Sequence, residues 1–325
     1  MAPILVTGAN GFLGSRIVAQ MRSAAIDVRS TDLPNGNSAD LPDFRPADLL
    51  KGTHLASLLD GVQCVVHAAG LAHQFLRTRE TERRLFDINV TATEKLMRAA
   101  SSAGVEHFVL ISSVAVYGPS DASLSDETTA CSPIGAYAIS KRESECRVIR
   151  VAEETGMRAT ILRMATVYGE MDPGNIARLI RKIDEDQFVW IGSGRNLKSL
   201  IYREDAARAC VLASQRTRGR QVEVYNVTGP PCSIQEVVCK LASALQRRLP
   251  RWHVPASLAR FATATGALLV GGRGRLGSLH AMLRKWLAND AYDGRKFQES
   301  FGFRAEVAPA EGLRREVAWY RKSAA

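Results

Sequence analysis

An α/β fold built on a doubly wound parallel sheet, with a smaller and mostly helical C-terminal lobe, is what this sequence predicts. Three observations carry that expectation. Short β-rich runs alternate with longer helical patterns through the first half of the chain, the signature of strands joined by crossover helices. Three glycines, Gly8, Gly11 and Gly14, follow directly on the first β-rich run and open a helical one. His107–Ser112 (HFVLIS) is apolar at nearly every position, as a strand covered on both faces must be.

Taken in order, Ile4–Thr7 reads as the first strand, Leu13–Ala24 as a helix and Ile26–Thr31 as the second strand. A short third strand is expected in Phe44–Leu49 (FRPADL), and a buried one at Cys64–His67. Ile88–Ala103 and Tyr137–Thr155 read as long helices, and Ala159–Arg163 and Gln221–Asn226 as further strands. The pattern then changes. Asn175–Asp184 and Ser233–Gln246 read as isolated helices, and 247–290 as helical with breaks at Pro250, Pro255 and Gly271–Gly272. This shift divides the chain into a nucleotide-binding domain, 1–168 and 199–228, and a second lobe, 169–198 and 229–325.

Composition bounds the function. The 325 residues are 46% hydrophobic and 23% charged, which excludes wholesale disorder. No uninterrupted apolar run reaches roughly 18 residues, and MAPILVTGANG lacks the basic and apolar regions of a secretory leader. The six cysteines contain no CxxC pair, so neither a zinc site nor a disulfide framework is expected, and the expected location is a reduced cytoplasm. The net charge is +10, and the surplus is concentrated: Val237–Asn289 holds nine basic residues and no acidic one. That stretch is read either as a solvated arginine-rich face or as a field for a polyanionic small molecule or an anionic membrane surface. Nucleic acid is not expected, because no recognised nucleic-acid module accompanies the charge. Within the stretch, SLARFATATGALLVGG (257–272) is read first as a core helix of the second lobe, with a bilayer contact as the lesser alternative.

The glycine triplet has a mechanical reading. Gly8 permits a sharp turn, Gly11 lets backbone approach a pyrophosphate, and Gly14 lets the helix pack close to the sheet. The helix N-terminus then offers free N–H groups to phosphate. Asp32, at the end of the second strand, can accept from both adenosine ribose hydroxyls and repel a 2′-phosphate. The combination predicts a Rossmann-type site for NAD rather than NADP. Asp48, beside Leu49, can accept from the adenine amino group, and Ala68, Ala69 and Gly70 are small enough for backbone to run beside a cofactor. His67 is read as a core histidine.

The reactive chemistry is read from three side chains. Tyr137 and Lys141 are four apart on one expected helix and share a face. A phenol titrates near ~10, and a base at neutral pH needs that value lowered by about three units, roughly 4 kcal/mol. A nearby ammonium, the positive charge of a nicotinamide ring and a dry pocket can supply it together. Ser113, at the C-terminal end of the apolar strand, faces the crevice where open α/β sheets bind ligands and can orient a substrate oxygen.

With these elements in this order the chain resembles the extended short-chain dehydrogenase/reductases, in the branch of NAD-dependent nucleotide-sugar epimerases and dehydratases typified by UDP-glucose 4-epimerase. The motifs that carry the resemblance are TGANGFLG (7–14), HAAG (67–70), INVTAT (88–93), SSVAVYG (112–118), YAISK (137–141), LRMATVYGE (162–170) and YNVTG (225–229). The resemblance implies that Phe12 and Leu13 meet the pyrophosphate through backbone and that Asn89 shapes the cofactor site. It also implies that Tyr137 is the base, Ser113 its hydroxyl partner and Lys141 the ribose-binding lysine. Thr166 stands where the pattern commonly has a substrate-side asparagine, and Met164 where it has proline. Lys198, with Arg195 as a substitute, stands where an arginine commonly holds the substrate pyrophosphate. The C-terminal third looks most like epimerases and reductases of bacterial polysaccharide gene clusters. The implied activity is epimerisation at C4 of a UDP-linked sugar through a 4-keto intermediate. The alternatives are a 4-keto-sugar reductase or other dehydrogenase on the same scaffold, and a non-enzymatic NAD(P) sensor. A homodimer through helices near 88–103 and 137–154 is implied in the same way, and no metal is expected.

Overall fold

The computed structural model describes residues 2–34, 40–72, 78–119, 124–269 and 283–324, without the side chains of 265–269 and 324. Six parallel strands form the main sheet: β1 (Ile4–Thr7), β2 (Val28–Thr31), β3 (Cys64–His67), β4 (His107–Ser113), β5 (Arg158–Met164) and, after four short strands, β10 (Val222–Val227). Their spatial order is β10-β5-β4-β3-β1-β2. Strand alternation sorts the side chains. Ile4, Val6, Val66 and Val109 pack into one core with α1 (Gly14–Ser23) and α7 (Arg203–Ser214). Leu5, Val65, Phe108 and Leu110 pack into another, against α2 (Leu55–Leu59), α4 (Ala92–Ser102) and α5 (Ala136–Thr155). With both faces covered, the strands have no polar side to show, which is why their sequences run apolar.

Chain order reverses between β1 and β3, where Thr7 and His67 are register partners. Loops leaving neighbouring strands diverge at such a switch point and open a crevice at the strands' C-terminal ends. A third core lies beyond the sheet. It joins α6 (Asn175–Asp184), α8 (Ile234–Leu245) and the C-terminal helix Pro309–Ala324 around Ile180, Trp190, Tyr168 and Leu241. Three small pairings tie this region together: β6 (Thr166–Tyr168) with β9 (Leu200–Tyr202), β8 (Leu197–Lys198) with β11 (Cys232–Ser233), and β7 (Trp190–Ile191) with β12 (His253–Val254).

Three expectations need correction. Phe44–Leu49 is not a strand: it makes one bridge, Ser30 to Phe44, and Arg45 and Ala47 donate to Ser30 and Asp32. The helix expected over 88–103 begins at Ala92, behind a π turn, Asp87–Thr91, that continues from α3 (Arg79–Phe86). Within 247–290 the chain is extended at β12 before α9 (Ala256–Leu269) starts behind Pro255. The break at Gly271–Gly272, with Arg273 and Arg275, lies outside the described residues.

Glu316, 1% exposed on the C-terminal helix, is an acid buried beside the third core. Burial pushes its carboxyl up to about 9, the charge of Asp172 adds to the shift, and the Gly169 N–H opposes it. From the ordinary carboxyl value to about 9, the folded chain therefore holds a proton that the unfolded chain has lost, and stability falls as pH rises through that window. Glu316→Gln keeps the shape and cannot ionise. Its melting temperature relative to wild type should rise by roughly 2 °C or more from pH ~6 to pH ~9 in scanning calorimetry. A gap that stays constant over that range means the carboxyl titrates normally.

Candidate active site

The turn after β1 cannot be built from other residues. Gly8 sits at φ +66°, and a Cβ there would lie 2.6 Å from the backbone nitrogen of Ala69. A Cβ on Gly14 would lie 2.0 Å from the Gly8 carbonyl oxygen. The first residues of the two loops are thus pressed together as bare backbone before the loops part, and Gly11, exposed in the first loop, leaves the N-terminus of α1 open. Asp32 stands at the end of β2. Its carboxylate accepts from the backbone N–H of Asn10 at 3.0 Å and of Leu33 at 2.8 Å, which aims it at the glycine-rich turn. An acid positioned beside a phosphate-sized backbone cradle fits an adenosine ribose and its pyrophosphate. Leu13 packs on the first core, and the Phe12 carbonyl accepts from Arg203 at 2.6 Å.

The neighbouring loop is fixed from below. Thr7 Oγ1 pairs with His67 Nδ1 and accepts from the Ala69 N–H, and Thr93 Oγ1 takes His67 Nε2. Burial and the nearby Lys141 charge push His67 down to about 3, so it is a neutral, fully paired core histidine. Asn89, in the π turn, accepts from Leu71 N–H at 2.8 Å and donates to the Leu71 carbonyl and to Ser140. It therefore holds the Ala68–Leu71 loop against α5. Asp48 caps its own turn through the N–H groups of Leu50 and Lys51, and Leu49 packs on the second sheet core.

Ser113, Tyr137 and Lys141 meet at the mouth of the crevice. Tyr137 lies in the first turn of α5, and Ser113 ends β4 and caps the short 3-10 turn Val114–Tyr117 through Ala115 N–H. The Ser113 hydroxyl hydrogen-bonds the phenol and favours its anion, but burial wins and holds Tyr137 above its ordinary value. Among the protein's own groups none brings the phenol below its ordinary value. Burial pushes Lys141 down to about 8 against the charge of Glu145. Its ammonium donates to the Ile111 carbonyl at 2.7 Å, and a Cβ on Gly70 would lie 3.6 Å from it.

Sequence reasoning missed the support behind these groups. Glu145, one turn beyond Lys141 and wholly buried, accepts from Ser112 Oγ at 2.6 Å and forms a two-pronged pair with Arg163 at 3.0 and 2.8 Å. Arg142 adds a third cationic contact, and Arg163 lies over the Tyr117 ring. The i, i+4 spacing of Lys141 and Glu145 was the available signal. Arg203, missed as well, donates to Phe12 O, Ser15 Oγ and Glu170 O, tying the glycine-rich turn to the segment that leaves β6. On the far side of the crevice the expected substrate residues differ. Lys198 spends its ammonium on Asp290 and on the carbonyls of Lys285 and Ala288, so it is a tether within the second lobe. Arg195 is exposed, and Thr166 is half-buried on β6 opposite Leu200.

Comparison with known proteins follows the same outline. The model of the NAD dependent epimerase/dehydratase family matches residues 4–228. A curated relative from Escherichia coli O157:H7, N-acetyl-alpha-D-glucosaminyl-diphospho-ditrans,octacis-undecaprenol 4-epimerase, is 27% identical over 97% of this chain and 94% of its own. UDP-glucose 4-epimerase of Vibrio cholerae is 27% identical over 78% of each chain. Among solved structures, MoeE5 in complex with UDP-glucose and NAD is 28% identical, covers 99% of this chain and 100% of its own, and superposes with a TM-score of 0.77.

Asp32→Asn keeps the shape of the side chain and removes its charge. Titration calorimetry should show NAD bound roughly tenfold or more weakly, with the preference over NADP narrowed. An unchanged NAD affinity would remove Asp32 from the ribose site.

Proposed function

The chain belongs to the NAD dependent epimerase/dehydratase family, and from that premise we propose that this NAD-dependent enzyme epimerises C4 of a diphosphate-linked sugar, with Tyr137 as its acid and base. The observation that carries the reading is the convergence of Ser113, Tyr137 and Lys141 beside the paired loops of the switch point. NAD would be held by Gly8, Gly11, Phe12, Leu13 and Gly14 at its pyrophosphate and by Asp32 at its ribose. Asp48, Leu49, Ala68, Ala69, Gly70 and Asn89 would line its path, and Tyr137 and Lys141 would flank its reactive end. When bound, the dinucleotide supplies the acceptor and then the donor of hydride at the sugar C4.

The remaining chemistry is the chain's own. The Tyr137 oxygen takes the proton of the sugar O4 while Ser113 holds that oxygen by a hydrogen bond. Lys141 favours the phenolate by its charge, and a neutral His67 beneath it adds no competing cation. Tyr137 returns the proton once the 4-keto sugar has presented its other face. Residues 1–168 and 199–228 would carry the cofactor, and 169–198 and 229–325 the substrate. Within the second lobe the exposed Arg195 is better placed than the tethered Lys198 to meet a substrate diphosphate. Two carriers of that diphosphate are supported: a uridine nucleotide, as in MoeE5, and a polyprenyl lipid, as in the relative that matches over nearly the whole chain. The working unit would be a homodimer paired through α4 and α5.

Tyr137→Phe should fold and bind NAD within about threefold of wild type and lose about 100-fold or more of turnover on a panel of UDP-sugars and lipid-diphosphate sugars read by NMR. Near wild-type turnover would reject the phenol as base. Net consumption of NADH by the wild type, in place of redox-neutral isomerisation, would reassign the chain as a reductase. Lys141→Met should lose activity most at neutral pH and recover part of it as pH rises toward the phenol's own ionisation. A pH profile parallel to wild type would deny the lysine that role.

A further inference from the structure

The basic stretch of the second lobe has a structure that a buried helix or a plain solvated face does not explain. Sequence reasoning placed SLARFATATGALLVGG first as a core helix. In the fold, Leu258 is 59% exposed and Phe261 69% exposed on α9, one turn apart on the same face. Ala256, Ala259, Thr263 and Ala264, on the other side, are the half-buried positions among the described side chains. Among the described side chains of the helix, the two large apolar ones thus face water. Just before it, Trp252 is 59% exposed. Arg248, Arg251 and Arg260, within the same stretch of chain, are exposed as well. Arg247 is paired with Asp184 and Asp186, but among the described residues no ion pair engages the other three, and the sequence offers no acid between Val237 and Asn289.

We infer that the exposed Trp252, Leu258 and Phe261, together with the exposed Arg248, Arg251 and Arg260 of the same stretch, form a docking surface for an anionic lipid bilayer. Large apolar side chains among exposed arginines are what a helix lying in a membrane interface presents: the rings and leucine enter the acyl boundary while the guanidinium groups meet phosphates. Tryptophan suits the headgroup level in particular. The chain would lie on the bilayer without crossing it, since none of the described helices is long and apolar enough to span one. Charge complementarity selects the occupant. A second copy of this surface would set like-charged arginines against one another, and a purely electrostatic polyanion would leave the apolar face uncovered. The surface is joined to the site. β12, directly before α9, pairs with β7, the Gly192 N–H donates to the Val254 carbonyl, and the same loop continues into Arg195. Docking would therefore set the rim of the crevice at the level of the headgroups. The inference goes beyond the reaction proposed above and stands whichever carrier the sugar has.

The test is cosedimentation of the full chain with vesicles of phosphatidylcholine alone and with one-third phosphatidylglycerol. The protein should partition onto the anionic vesicles, less so as salt is raised, and not onto the neutral ones. Leu258→Ser with Phe261→Ser, and separately Arg248→Gln with Arg251→Gln and Arg260→Gln, should each weaken partition by about tenfold or more. Turnover of a soluble substrate should stay within about twofold. Equal partition of wild type and the serine variant, or no partition at low salt, overturns the proposal. So does a wild-type dimer in sedimentation equilibrium that the serine variant reduces to monomer, or RNA binding that matches vesicle binding and survives the serine changes. If the serine variant melts early, the emission of Trp252, isolated by difference from Trp252→Phe, decides. A blue shift with anionic vesicles supports docking, and an unchanged spectrum rejects it.

Discussion

The reactive groups depend on a carboxylate that touches no substrate. Glu145 is fully enclosed, and enclosing a charge costs on the order of several kcal/mol per ion unless partners replace the lost water. Arg163 from β5, Ser112 from β4 and Arg142 from the same helix provide them. Because the partners come from two strands and the acid from α5, the network fixes the rotation of that helix about its axis. Lys141, one turn earlier, is thereby aimed at the Ile111 carbonyl, and Tyr137, one turn earlier again, is held by Ser113. Through Arg163 and the Tyr117 ring, whose hydroxyl donates to Asn226 at 2.7 Å, the same network reaches β10 at the edge of the sheet.

The protonation pattern follows from this placement. Burial acts on the phenol, the ammonium and the imidazole alike, in each case favouring the neutral form. Only Lys141 has a fixed negative charge within reach to resist it, and it remains largely protonated at neutral pH. The protein's own groups therefore present one cation and a neutral phenol. On the reaction proposed for Tyr137, the last contribution toward the phenolate would come from the positive ring of a bound dinucleotide, and the base would be strongest with its reaction partner in place.

Most of the sheet was legible because its signals are local. β1 and β3 fall at the residues where apolar runs meet glycine or histidine, and α6 matches its pattern from Asn175 to Asp184. The glycine turn and the Ser113, Tyr137 and Lys141 set were legible because a backbone constraint and an i, i+4 spacing leave marks in one dimension. Other features leave none. α3 reads as RETERRLF, polar nearly throughout with only Leu85 buried, so it has no apolar stripe to announce it. The pairing of Glu145 with Arg163 spans two elements, and nothing in either segment names the other. Lys198 was read as a ligand because its position in a motif says nothing of Asp290, which arrives from far along the chain. The outward face of α9 was unreadable for the same reason: apolar composition does not tell which side finds a neighbour.

Arg203 has a bearing on timing. Its guanidinium bridges the turn that would lie over the pyrophosphate and the Glu170 carbonyl on the opposite wall, and it stacks on Phe12 while doing so. For a dinucleotide bound as proposed, opening the crevice wide enough to free it would part those contacts together, whereas a sugar entering from 169–198 and 229–325 would pass them by. With both ligands bound as proposed, their exchange would be uncoupled, the organic redox partner retained and the sugar coming and going. That arrangement suits a catalyst whose oxidant is restored at the close of every cycle.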